Sequence, residues 1–397
     1  MAHHHGQLMN PERGRSILLT NYHLRSLAGS ELVTLDLGRL FRSRGWDVAV
    51  AAWDVGQPMQ GLFIDNGMSV VGLDDPALWR EFDLLWAHHW PTIATVLASG
   101  CTSARKVVFS SLGPSEPLET PPLGGGVDLY VTNSQETSAL MATLGIGSES
   151  VFLLPNSLLP EWIEAGTARH GHGNLQSVAF VSNHLPDEEK EAMAIIGRRG
   201  ILTIHVGSGG VSEYVTPALI SRFDAVVSIG RTVVQGLAAG VPAFCYDLFG
   251  GSGWVTPGNV EAMAQVNFSG RDSPSRLSAD EIAERLISGW DGAAANSHEL
   301  HAWVKATRSL DKNVNRVLTL LDSRPDRDMS RFSTDWAVVS RYASCLFRAD
   351  DQHAQLVRQC LSLSDEITAM RATRGWRVLE ALRHWNRSLR IRSEGRL

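Results

Sequence analysis

Two doubly wound α/β domains followed by a helical extension are the architecture that this 397-residue sequence predicts. Three observations carry that expectation. Short apolar runs alternate with helical periodicities from Ser16 onward. The alternation restarts after a polar, Gly- and His-rich stretch at 165–175, and beyond the polar break Asp322–Asp328 only helical spacing remains. Short buried strands alternating with helices imply parallel sheets covered on both faces. At roughly 150 residues per domain, the length fits two or three cores.

In the first half, Ser16–Thr20 reads as a buried strand, followed by a loop over Asn21–Gly29. Leu32, Val33, Leu37, Leu40 and Phe41 recur at helical spacing, and Gly45 stops that helix. Val48–Ala52, Met68–Gly72, Leu84–Ala87, Lys106–Ser110, Leu129–Thr132 and Val151–Leu154 follow as strands, with helices at Pro91–Ala98 and Gln135–Leu144. In the second half, strands are expected at Ser177–Val181, Ile201–Val206, Asp224–Ser228 and Val241–Tyr246. Helices are expected at Pro186–Arg199, Tyr214–Arg222, Gly230–Ala239, Ala279–Ser288 and His298–Leu321. The expected division is a disordered N-terminus or tag at 1–15, Rossmann-like domains at 16–165 and 176–322, and a helical basic extension at 329–397.

Apolar residues make up 44% of the chain and charged residues 20%, ordinary for a soluble globular protein. The net charge of −6 argues against a general nucleic-acid binder. Four cysteines (Cys101, Cys245, Cys345, Cys360) form neither a CxxC pair nor a zinc spacing, which suits a reducing compartment. No apolar run reaches membrane-spanning length and Met1–Arg15 has no apolar signal core, so a cytoplasmic location is expected. Charge is uneven: residues 371–397 carry eight arginines against Glu380 and Glu394. Val378, Leu382, Trp385 and Leu389 form one apolar stripe there, opposite Arg383, Arg387 and Arg390. That pattern is open to three readings: contact with an anionic membrane face, docking on the protein itself, or self-association.

Open parallel sheets take ligands at the carboxyl ends of their strands. The turn Ser228-Ile229-Gly230-Arg231-Thr232 joins such a strand end to a helix start, where free amides and the positive dipole end suit a phosphate. Arg231 offers a charged fork and Thr232 a hydroxyl. An ordinary β–α turn with a solvated arginine is the plain alternative. Asp83–Pro91 ends an apolar run in His88 and His89, of which alternation aims one toward a cleft; a hydrogen-bonded structural histidine is the rival reading. Gly29 allows close approach before the first helix, and Glu31 complements its dipole. No third ligand accompanies the histidines, and Asp326-Arg327-Asp328 lies in a linker, so no metal is expected.

The segment around Gly230, with Asp247 and Gly250-Gly251-Ser252-Gly253 after it, resembles the donor-binding stretch of GT-B glycosyltransferases, the family-4-like group in particular. Leu27–Glu31, Arg44–Val48, Val131–Ser134 and Leu154–Ser157 resemble further motifs of that family in order, so the likeness spans roughly residues 16–260. It implies two domains facing a cleft, no cofactor, and a nucleotide-diphosphate sugar as co-substrate. It also implies a saccharide or lipid-linked acceptor, retention of configuration, and a role in surface polysaccharide synthesis, with contact at the inner membrane face as one option. By the same likeness, Asn183, His184, Gly207, Gly230, Arg231, Thr232, Gln235 and Asp247 would bind the donor. Gly29, Glu31, Ser134 and Asn156 would line the acceptor side, and His88, His89 and Arg231 would act in catalysis. The sequence departs from the family pattern in holding Val227 and Gln235 where two glutamates are common. It also holds Val181–Leu185, then acidic Asp187, Glu188 and Glu189, where a cationic pair is common; His184 and Arg231 are the available substitutes. A degenerate homologue acting as a binding or scaffolding subunit is the rival of another class. A nicotinamide or flavin enzyme is disfavoured, because no GxGxxG follows the first strand.

Overall fold

The computed structural model describes residues 14–123, 126–165, 173–273, 275–325, 334–373 and 375–376. The expected N-terminal segment up to residue 13, most of the linker at 165–175, Asp326-Arg327-Asp328 and the basic stripe beyond residue 376 lie outside the described residues.

The first half runs β1 (Ser16–Leu24), α1 (Gly29–Ser43), β2 (Asp47–Val55), α2 (Met59–Asp65), β3 (Val70–Gly72), β4 (Glu81–His88) and α3 (Trp90–Ala98). It continues through β5 (Ser103–Ser111), β6 (Leu129–Thr132), α4 (Gln135–Thr143), β7 (Val151–Leu153) and α5 (Pro160–Ala165). All seven strands are parallel, in the order β3-β2-β1-β4-β5-β6-β7. β1 is central because Ile17, Leu18 and Leu19 are buried on both sheet faces. It extends to Leu24, past the expected end at Thr20, since Asn21, His23 and Leu24 go on pairing with Ala52, Asp54 and Val55. The loop before α1 is correspondingly shorter than expected.

The second half runs β8 (Ser177–Val181), α6 (Asp187–Arg198), β9 (Leu202–Val206), α7 (Pro217–Ile220), β10 (Ala225–Ser228), α8 (Arg231–Ala238), β11 (Ala243–Asp247) and β12 (Gly250–Trp254). Helices α9 (Val260–Gln265), α10 (Ala279–Ser288), α11 (Trp290–Ala295), α12 (Ser297–Thr307), α13 (Leu310–Asp322) and α14 (Thr334–Ala372) follow. The strand order is β12-β11-β10-β8-β9, parallel apart from β12. The glycine run 250–253 is part of a hairpin strand on β11. The helix expected over Tyr214–Arg222 is one turn, started by Pro217 and capped by the Thr216 hydroxyl. The helix expected over His298–Leu321 is two: Leu158 donates to the Arg308 carbonyl (2.8 Å) and accepts from the Leu310 amide (2.9 Å), which draws the chain out of helix between α12 and α13. α13 then packs Leu310, Val314 and Val317 into the core of the first sheet with Ile17 and Leu35, so the chain returns to its first half.

No helix among the described residues is long and apolar enough to cross a membrane.

Candidate active site

In each sheet the strand order reverses beside the first strand of that half, between β1 and β4 and between β8 and β10. Such a reversal leaves a crevice at the carboxyl ends of the strands. The sequence-predicted residues distribute over these two crevices and the contact between the halves.

At the second crevice, Gly230 precedes α8 with φ 62° and ψ −127°, a conformation open to glycine alone. Its amide is spent on the Phe268 carbonyl (2.7 Å). No side chain caps α8, so the amides of Arg231, Thr232 and Val233 begin the helix without intrahelical acceptors. A side chain at Gly230 would fit: its Cβ would meet only the Asn267 carbonyl oxygen at 3.9 Å and the Asn156 amide nitrogen at 4.0 Å, both ordinary contacts. Asn156, from the loop after β7, thus faces this turn. The Thr232 hydroxyl has no hydrogen bond among the described residues. Gln235 is buried on the same helix.

Arg231 reaches across to the first half and forms an ion pair with Asp36 of α1. Asp36 is only 2% exposed; one of its oxygens and the Arg231 Nε have no partner among the described residues. Asp36, Arg231, Asn133 and Asn156 share with Trp86, Leu154 and other apolar residues the lining of a largely apolar cavity of about 30 Å³. Sequence reasoning missed Asp36, although a signal was present: position 36 falls between Leu32 and Leu40 on the apolar side of α1, where an acid needs a partner.

Beside the α8 turn, the Ser182 hydroxyl donates to Asp247 (2.8 Å) and accepts from the His184 amide (2.9 Å). The Ser182 carbonyl faces His205 Nε2 at 2.8 Å, a second residue that sequence reasoning missed. Gly207 has φ 135°, and a Cβ there would collide with the Ser182 carbonyl oxygen. Asn183 accepts from the Ser208 amide (3.1 Å) and donates to the Leu27 carbonyl in the loop before α1 (3.2 Å). His184 is exposed. Burial raises the Asp247 carboxyl, opposed by its bonds from Ser182 and Leu248. Behind it, Glu189 of α6 is 1% exposed with an unpartnered oxygen. Desolvation, then the Asp247 and Glu188 charges, push Glu189 up to about 9, so it is a neutral acid at pH 7.

At the first crevice, His88 ends β4 fully buried, with neither ring nitrogen partnered among the described residues. Burial first, and His89 second, hold it down to about 3, so it stays a neutral imidazole. His89 adopts φ 65° ahead of α3. Its Nδ1 accepts from the Tyr22 amide (3.3 Å), which leaves the proton of the neutral ring on Nε2, 3.4 Å from Glu119. Glu119 was not anticipated either; no local spacing connects it to His89. Gly29 opens α1 with free space around it. Glu31 is buried and accepts from the Ser26 (2.8 Å) and Ser30 (2.9 Å) hydroxyls. Ser134 is the N-cap of α4, accepting from the Thr137 amide. The structure thus brings Asn156, Gly230 and Arg231 together and links Asn183, Gly207 and Asp247 through Ser182. Glu31 and Ser134 are each occupied in a helix terminus.

This architecture is the GT-B fold: two sheets with strand-end crevices, and a late helix returned to the first half. Solved structures similar to the chain include HepE from Anabaena in complex with UDP-glucose, at 14% identity over 78% of this chain and 100% of that one, with a TM-score of 0.55. A glycosyltransferase from Rickettsia africae matches at 11% identity over 80% and 99%, with a TM-score of 0.50. An alpha-glucosyltransferase in complex with UDP and a 13-mer DNA containing an HMU base matches at 9% identity over 78% and 99%, with a TM-score of 0.51. Identities this low speak to fold. No protein-family model and no curated protein sequence matches the chain.

Proposed function

We propose that the protein is a glycosyltransferase of the family-4-like kind, moving a sugar from a nucleotide-diphosphate donor to a saccharide or lipid-linked acceptor with retention, in surface polysaccharide synthesis. The observation that carries this reading is the uncapped start of α8 after Gly230, where no neighbour crowds the glycine and Arg231 stands beside it. Three amides and the positive helix end offer a diphosphate a ready seat. Solved neighbours in complex with UDP-glucose or UDP support a nucleotide donor.

In the proposed reaction the bond from the anomeric carbon to the diphosphate oxygen breaks and its electron pair stays on that oxygen. The acceptor hydroxyl oxygen forms the new glycosidic bond, and its proton leaves to the departing diphosphate. The chain's part is to hold both substrates and to stabilise the charge that develops on the diphosphate. The amides of Arg231–Val233 and the remaining N–H groups of Arg231 do so without a metal, while Thr232 adds a hydroxyl. Asn183, His184, Gly207, Gln235 and Asp247 complete the donor side. Gly29, Glu31, Ser134 and Asn156 are assigned to the acceptor side, with His89, and His88 beneath it, at the sugar.

Calorimetry against a panel of nucleoside diphosphates and nucleotide sugars tests the reading. Binding of at least one, weakened roughly tenfold or more by Arg231→Ala, is expected for loss of a charge-assisted contact. Binding of none would favour the scaffolding role instead.

A further inference from the structure

We propose that α14 pairs with α14 of a second copy of this chain as a parallel, in-register, two-stranded coiled coil. This stands independently of the catalytic reading. From Leu356 the positions Cys360, Leu363, Ile367 and Met370 follow at alternating steps of four and three. The same register runs back through His353 and Ala349 to Leu346 and Tyr342, with the small and the polar residue as its weaker steps. A straight helix drifts about 20° per heptad from such a 3.5-residue repeat. A seam kept for four heptads therefore faces a partner that supercoils with it, which is another helix, rather than a flat surface.

The seam is bare. Leu356 is 59% exposed, Leu363 57% and Met370 53%, and every residue from 355 to 373 is exposed. In proteins most helical stability comes from packing an apolar face rather than from propensity. The residue choice selects the partner. Leu356 and Leu363 take d positions and Ile367 is the β-branched residue at a, the pairing that favours two parallel strands; Leu346, His353 and Cys360 fill the other a positions. Glu366 then falls at g and Arg371 at the following e. Five residues apart, they cannot meet along one helix, where neighbours are three or four apart. In a parallel, in-register pair each Glu366 meets Arg371 of the other copy, twice by symmetry. Neither residue has an ion-pair partner among the described residues. The chain's own basic segment beyond 376 is a poorer occupant, because residues 355–373 carry Arg358 and Arg371 against Asp365 and Glu366, a balance that gives it no electrostatic pull.

Sedimentation of the full chain tests the proposal. A dimer is expected, and Leu356→Asp with Leu363→Asp should turn it into a monomer whose thermal midpoint for the α/β body is unchanged. Glu366→Arg should weaken the dimer roughly tenfold, and adding Arg371→Glu should restore it. In a variant that keeps Cys360 as its exposed thiol (Cys101→Ser, Cys345→Ser), a short-armed bismaleimide should join the two copies. A monomeric wild type overturns the proposal, including the case in which the chain's own tail covers the seam. So does a dimer indifferent to the two aspartates. A dimer that neither recovers on charge swap nor cross-links at Cys360 overturns the parallel register.

Discussion

Burying Asp36 among the leucines of α1 ties its charge to Arg231, and this couples affinity to stability at one position. Removing one member of a buried ion pair costs about 3–5 kcal/mol, because the other is left uncompensated. Arg231→Ala should therefore lower the thermal midpoint as well as nucleotide affinity. Arg231→Ala combined with Asp36→Ala should recover much of the midpoint and none of the affinity. Recovery of both would strip Arg231 of its assigned contact. Glu189 makes a second residue-scale prediction. Folded, its proton is held up to about 9; unfolded, it is lost near 4.5. The unfolded chain then binds fewer protons across that window, so this group's contribution to stability is greatest below pH 4.5 and falls as pH rises toward 9. The slope is at most about 1.4 kcal/mol per pH unit. Glu189→Gln should flatten the decline of the melting temperature over that range, and an unchanged slope would remove the neutral buried acid from the account.

At the scale of elements, two glycines separate packing from conformation. Gly207 has no room for a Cβ against Ser182, whereas Gly230 has room and resists substitution only through its backbone angles. Gly207→Ala should destabilise the fold strongly, as overpacking against backbone does. Gly230→Ala should cost about 1–3 kcal/mol of strain and mainly impair nucleotide binding. Thermal melts and calorimetry on the two variants distinguish these outcomes; a Gly230→Ala protein that binds as tightly as wild type would contradict the role of the turn. Most strands and the start of α8 were legible in the sequence, because their apolar runs are short and bounded by turn residues. The split between α12 and α13 was not. It is imposed by Leu158, about 150 residues away, and no local periodicity reports a pairing of that kind. The extension of β1 through Asn21–Leu24 escaped for the same reason, since polar residues there are held by ladder bonds to β2.

For the whole molecule, the order of strands decides where chemistry can sit. Both reversals leave crevices at strand ends, and polar contacts bridge the halves. Arg231 meets Asp36, Asn183 meets Leu27, and Arg271 grips Glu136 at 2.7 Å. The turn at Gly230 was readable from its strand–glycine–helix pattern. Its partner acid and the Glu119 beside His89 were not, because they come from elements that only the fold brings near. Diffraction from crystals soaked with a mixture of nucleoside diphosphates shows whether the turn at Gly230 seats a diphosphate. Diphosphate density is expected within hydrogen-bond distance of the Arg231, Thr232 and Val233 amides. A bound nucleotide with its phosphates elsewhere, leaving those amides to water, would contradict that expectation.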